Sequence, residues 1–175
     1  MKLANSRISL RPLEREDLSL KVKWINDPEV HRFLNYEIPL CVARTEKWFE
    51  KALVNSTRRD FIVEVDSKAV GTIGLLGISL IHKTAEFYIA IGEKDYWGKG
   101  IGKEATSLLI DWAFINLNLH RIWGTYLSEN QAMLKMTQKL GFSYEGRARK
   151  ARFVAGKYVD VDYIGLLREE FTPCH

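Results

Sequence analysis

Three glycines at alternate positions, Gly98, Gly100 and Gly102, fall where a loop meets a strongly amphipathic segment. Three missing Cβ atoms let a backbone turn sharply and come close to a ligand. Free amides of a first helical turn would point at the same place, and the helix dipole favours an anion there. The chemistry predicted is the holding of a phosphate or pyrophosphate. The plainer reading is a tight loop that needs glycine for its own turn. Cys41 is a nucleophile by type, but no His is spaced to pair with it.

Three phosphate-binding patterns compete for this turn. A Walker-type loop needs four residues between Gly and Gly-Lys-Ser/Thr. Five residues lie between Gly92 and Gly98-Lys99, and Gly100 stands where a hydroxyl should meet magnesium. The dinucleotide fingerprint G-x-G-x-x-G/A fits Gly100 to Ala105, with Glu129 as a ribose acid, but residues 92–95 separate the strand from the glycines. That fold also needs successive parallel crossovers, for which the chain after Ala105 is too short. The third pattern is an acyl-CoA loop.

These residues need a frame. The chain has 175 residues and no repeat, low-complexity tract or linker, so a single domain over 1–175 is expected. Residues 8–13 alternate as a first strand. A helix from about Arg15 carries Leu18, Val22 and Ile25 on one side and stops at Asn26-Asp27-Pro28. Val30, Phe33 and Leu34 suggest a short second helix, and Thr45 reads as the cap of a third. The period then changes. Residues 61–65, 70–75 and 87–91 read as strands joined by short connections, hence antiparallel. After the glycine turn, a helix buries Ile101, Ala105, Leu108, Leu109, Trp112 and Ala113. A strand over 121–127 follows, then a helix over 130–140 ended by Gly141. Strands over 142–146 and 158–167, turned through Ala155-Gly156, close the chain. This order predicts an α+β fold with a mixed sheet.

Composition narrows function by exclusion. At 46% hydrophobic and 27% charged, the chain buries a core and is not disordered. No apolar run approaches the roughly 20 residues that span a bilayer, and residues 1–10 lack a signal-peptide core. No membrane partner and a cytoplasmic location are expected. Cys41 and Cys174 suit neither a disulfide framework nor a metal site, so free thiols and no metal are expected. A net charge of +4 is too mild to signal nucleic acid. Arg147, Arg149, Lys150, Arg152 and Lys157 form the strongest bias. They read as a solvated hairpin face, or as a surface meeting an acidic partner or a cofactor's phosphates.

Several short motifs then follow in order across nearly the whole chain. They are Asp27-Pro28-Glu29-Val30, Trp97-Gly98-Lys99-Gly100-Ile101-Gly102, Leu119-His120-Arg121-Ile122, Asn130, Lys139-Leu140-Gly141-Phe142, Glu145-Gly146-Arg147 and Gly156-Lys157-Tyr158-Val159-Asp160. Together they resemble the GNAT-superfamily N-acetyltransferases, and within them the RimJ/RimL-like branch. Trp97 replaces the Gln or Arg usual in the superfamily's Q/R-x-x-G-x-G/A loop. The resemblance implies a GNAT-like fold: a mixed, mostly antiparallel central sheet with a splayed parallel strand pair, flanked by helices. The pair would be 87–91 and 122–127.

The resemblance also implies acetyl-CoA as co-substrate. Its pantetheine arm would pair with the backbone of Ile89, Ala90 and Ile91. Its pyrophosphate would sit on Trp97, Gly98, Lys99, Gly100, Ile101 and Gly102, with Lys99 or Lys103 as charge supplements. Asn130 would contact the cofactor, and reads equally as a helix N-cap. The implied reaction is direct attack of a primary amine on the thioester, without a covalent enzyme intermediate. The acceptor would be a protein N-terminus or a small-molecule or amino-sugar amine.

Thr137 and Thr125 stand where better-known relatives carry an acidic Tyr and a basic Glu. Glu86 remains as candidate base, or as an exposed strand-start carboxylate. Thr137 is a candidate acid of poor strength, or a helix-packing residue. The implied acceptor groove spans 24–40 and 147–160, lined by Trp24, His31, Phe33, Tyr36, Glu37 and Tyr158. One carboxylate among these makes no polyamine trap, and the basic hairpin disfavours a polycation. A homodimer is among the expectations. A non-catalytic CoA-binding protein and a dinucleotide-dependent oxidoreductase are the alternatives.

Overall fold

The structure, a computed structural model, describes residues 3–173. Cys174 therefore lies outside the described residues, and Cys41 is exposed and free. The strands are β1 (Leu3–Ala4), β2 (Ile8–Pro12), β3 (Arg59–Val65), β4 (Lys68–Ser79), β5 (Thr84–Ile91), β6 (Arg121–Leu127), β7 (Ser143–Val154) and β8 (Lys157–Leu167). The α-helices are α1 (Leu18–Asn26), α2 (Pro28–His31), α3 (Val42–Leu53), α4 (Ile101–Asn116) and α5 (Gln131–Lys139). The strands form one sheet in the order β1-β2-β3-β4-β5-β6-β8-β7. Among the described strands, only β5 and β6 run parallel. The fold is the expected α+β mixed sheet, and the lone parallel pair leaves no room for the repeated crossovers of a dinucleotide-binding fold.

Helices cover both faces. On one, α4 and α5 bury Ile101, Ala105, Leu109, Leu140 and Phe142 against Phe87, Ile122 and Ile164. On the other, α1 and α3 bury Leu18, Trp24 and Phe49 against Ile62. Alternation along β5 therefore sends Phe87 to the α4 side and Glu86 and Tyr88 to the α1 side. Trp24 is held hard against β5's end: a Cβ on Gly92 would lie 2.0 Å from its Cγ.

Two expectations need correction, and one strand is additional. Helix α3 starts at Val42 with Cys41 as its cap residue, and Thr45 lies within the helix, donating its hydroxyl to the Cys41 carbonyl at 2.9 Å. A hydroxyl that bonds back into its own helix imitates a cap in sequence. Strand β7 runs to Val154, eight residues beyond its expected end at 146. Register shifts at Tyr144/Gly146 and Ala148/Arg152 break its alternation, which hid it. Strand β1 was not anticipated at two residues long. Two turns match their residues. The hairpin at Ala155 and Gly156 takes φ +48° and +83°. Gly141, at φ +88°, ends α5 with amide bonds from Gly141 to Gln138 and Phe142 to Thr137, a Schellman motif.

Candidate active site

The glycine turn is built as its residue types require. After β5, a 3-10 turn (Lys94–Tyr96) leads to Gly98 at φ +73° and Gly100 at φ +81°, and Gly100 is the residue that opens α4. Left-handed backbone at both is strained for any residue with a Cβ. The space beyond them is open: a Cβ on Gly98 would meet nothing within 4 Å, and one on Gly100 only Glu104 Oε1 at 3.8 Å. Gly102 serves packing instead, since a Cβ there would lie 3.3 Å from Met136 Sδ. The Trp97 indole donates to the Ile91 carbonyl at 2.8 Å and fastens the turn to the end of β5.

In front of the turn lies a cavity of about 680 Å³. Its lining includes Ile89, Ala90, Ile91, Trp97, Gly98, Gly100, Ile101, Gly102, Lys103 and Asn130. Lys99 is the one member of the expected cofactor set not on this wall; its ammonium lies 5.8 Å from the Tyr96 ring centre. Lys135 and Lys139 of α5 do line the cavity, and the sequence reading missed them. Their i, i+4 spacing on the helix facing the glycine turn was the available signal. Asn130 caps α5, accepting from the Met133 amide at 3.0 Å, and its side chain still borders the cavity. Open glycines, first-turn amides and lysines at one end, with Ile89, Ile91, Met133 and Met136 as apolar walls, fit a cofactor with a charged pyrophosphate and a slender arm.

The cavity wall leads into a fork. Strands β5 and β6 pair only at Thr84↔Arg121, Ala85↔Ile122 and Glu86↔Trp123. Beyond that point β5 continues on β4 alone. Phe87 lies across Gly124, where a Cβ would come within 2.6 Å of its ring, and props the fork from the α4 side. Glu86 stands at the point of divergence on the opposite face. It is half-buried, not an exposed strand-start carboxylate. Burial pushes its carboxyl up from the usual range; the Arg152 charge and a hydrogen bond from Thr125 oppose that in part.

Residues 7–143 match the family described as acetyltransferase (GNAT) domain. Spermidine N(1)-acetyltransferase of Escherichia coli (strain K12) is 31% identical over 168 residues, covering 96% of this chain and 90% of that protein. This chain belongs to the GNAT acetyltransferase family. Spermidine N-acetyltransferase from Vibrio cholerae, solved in complex with CoA and spermine, superposes with a TM-score of 0.88 at 30% identity, over 95% of this chain and 98% of that one. A dodecameric structure of the Vibrio cholerae protein, in an intermediate state, superposes with a TM-score of 0.82 at 30% identity, over 94% and 96%. The chain is thus an acyltransferase, an acetyl-CoA-dependent N-acetyltransferase, and the non-catalytic and oxidoreductase alternatives fall away. Among the described residues, no cluster of His, Cys, Asp and Glu could hold a metal, and no helix is long and apolar enough to cross a membrane.

On the acceptor side of this GNAT domain the structure departs from several expectations. Thr137 is buried within α5 and its hydroxyl donates to the Met133 and Leu134 carbonyls at 2.9 and 3.1 Å. It borders neither cavity nor fork, which favours the packing reading over the acid one. Trp24 is 3% exposed and gives its indole N–H to Glu93 at 2.8 Å, so it anchors α1 and lines no groove. Glu37 is exposed and paired with Arg44 at 2.8 Å, and Tyr158 packs tilted against Phe153 at the hairpin tip, 5.1 Å between ring centres. Phe33 lines the cofactor cavity, and the buried His31 Nδ1 has no hydrogen-bond partner among the described residues. The basic hairpin is no uniform cationic face: Arg147 pairs with Asp162 at 2.7 Å and Lys157 with Glu129 at 2.9 Å.

A network missed from sequence lies beside Glu86. Asp60, Gly74 and Tyr88 are register partners across β3, β4 and β5. Gly74 has no side chain, so the Tyr88 ring crosses it, and its hydroxyl donates to Asp60. Arg58 grips both oxygens of that carboxylate, donating from Nε to Oδ2 at 2.6 Å and from Nη2 to Oδ1 at 2.8 Å. The Trp48 ring lies between Arg58 and the buried Lys21, 4.8 Å from each, and Lys21 meets the Tyr36 hydroxyl at 3.3 Å. Strand register brings these together, and register is not visible in a single sequence.

Proposed function

We propose that this enzyme moves the acetyl group of acetyl-CoA onto the primary amine of a small molecule by direct attack on the thioester. The fork carries the reading. Glu86 and the cavity-lining Ile89, Ala90 and Ile91 occupy one strand, so a donor lying along the last three ends beside the first. On this reading the amides of residues 98–103, with Lys103, Lys135 and Lys139, hold the pyrophosphate. Asn130 borders the arm, and backbone N–H of the splayed β5 faces the developing oxyanion.

Glu86 takes a proton from the incoming ammonium. Its raised carboxyl narrows the gap to an alkyl ammonium near pKa 10.4. The neutral amine forms the C–N bond as the C–S bond breaks. The second nitrogen-bound proton goes with the departing thiolate, and Glu86 returns its own to solvent. No side-chain acid is required, which agrees with a Thr137 hydroxyl committed to its helix.

Two acceptor types stood open. Relatives named for spermidine, a free small molecule, favour that type over a protein N-terminus. A RimJ/RimL-like placement has only the short motifs behind it. Self-association beyond a dimer joins the proposal, since a relative has been solved as a dodecamer. The test is release of CoA thiol from acetyl-CoA across a panel of primary amines, spermidine and peptide N-termini included. Thiol release with at least one small amine and none with peptides is expected. Release with peptides alone would overturn the acceptor assignment.

A further inference from the structure

One guanidinium on the acceptor face makes no hydrogen bond or ion pair among the described residues, and its charge is felt by Glu86 alone of the groups described around it. Resting on the amine-transfer reading, we propose that Arg152 seats an anionic group of the acceptor, so that this chain selects amines bearing a carboxylate or phosphate over polycations.

Register places Arg152. It pairs with Val159, which packs with Val161 and Leu127 beneath Phe33. Leu127 follows Thr125 at the next same-face position of β6, so Arg152, Thr125 and Glu86 share one face. Arg152 is half-buried and makes no ion pair or hydrogen bond among the described residues, while the neighbouring Arg147 and Lys157 are paired. Its charge acts on Glu86.

The local charge sum points the same way. Lys21, Arg58 and Arg152 face this side against two carboxylates, Glu86 and Asp60. Asp60 is saturated by Arg58 and the Tyr88 hydroxyl. Lys21 is 2% exposed and meets two aromatic faces and one hydroxyl, with no carboxylate partner among the described residues. The acidic side chains of the nearby helices and loops are also taken: Glu37 by Arg44, Asp27 and Glu29 by Lys94, and Glu93 by Trp24 and Lys23. A polyamine carries several ammoniums, and of the carboxylates named above only Glu86 is without an ion pair among the described residues. With Arg58 paired to Asp60, it also meets the charges of Lys21 and Arg152, which repel it. An amine with its own anion brings the charge Arg152 lacks while its ammonium faces Glu86.

The experiment is kcat/KM for matched acceptors. Glucosamine 6-phosphate and phosphoethanolamine test phosphate, an amino acid tests carboxylate, and glucosamine, ethanolamine and spermidine are the counterparts. The wild-type chain is expected to favour at least one anionic class about 10-fold or more over its neutral counterpart and over spermidine. Arg152→Glu removes that preference and improves spermidine; Arg152→Lys keeps most of it; Arg152→Gln stands in if the charge reversal fails to fold. CoA affinity stays unchanged in each. Spermidine preferred by the wild type, or an anionic-to-neutral ratio untouched by Arg152→Glu or Arg152→Gln, overturns the proposal while leaving amine transfer standing. Transfer to no amine at all overturns the reaction itself and the acceptor class with it.

Discussion

Gly100→Val is expected to weaken CoA binding at least 100-fold, about 2.8 kcal/mol, in a protein that still folds. Gly100 holds φ +81° at the opening of α4, a conformation that costs a side-chain-bearing residue roughly 1–2 kcal/mol. Nothing in the core resists the new side chain, since the nearest atom to its Cβ is Glu104 Oε1 at 3.8 Å. At this chain length each kcal/mol moves Tm by about 2–4 °C, so thermal unfolding falls by single degrees. Binding suffers more, because the isopropyl group occupies the approach to the first-turn amides. Titration calorimetry with CoA, alongside a melting curve, separates the two effects. A Tm loss of this size with CoA affinity intact would mean the turn is glycine-rich for its own geometry alone.

Glu86→Gln is expected to lower kcat by about 10² to 10⁴, the usual range for a removed general base. The pH profile identifies the cause. Glu86 acts as a base only when ionised, and burial raises its pKa. The wild-type kcat should therefore rise with pH through a limb above the ordinary carboxylate range. Glu86→Gln deletes that limb. Thr125→Val, which removes a hydrogen bond favouring the ionised form, shifts the limb further up. A profile unchanged in Glu86→Gln excludes the residue from proton transfer.

The legible parts of the molecule were those encoded locally. Strand β6 begins and ends at the expected residues, 121 and 127, and its burial alternates from Arg121 to Tyr126 before Leu127 is buried as well. The turn at Gly98 and Gly100 was legible because left-handed backbone leaves a residue-type signature. Thr45 and β7 misled for local reasons too, a hydroxyl that bonds within its helix and bulges that scramble a period. What stayed hidden depends on register. Asp60 and Tyr88 lie 28 positions apart and meet only because Gly74 sits between them on a third strand. Likewise, nothing near Arg152 in the chain names Glu86 as its neighbour.

The central claim is transfer from a donor held at the fork straight to an amine. Its most direct test is one turnover of enzyme and acetyl-CoA, quenched and weighed by intact-mass spectrometry, with and without a competent amine. Without amine, no thiol release and no acetylated protein are expected. With amine, equal amounts of free thiol and acetylated amine are expected. Thiol released without amine, together with acetyl retained on the protein, would contradict direct transfer.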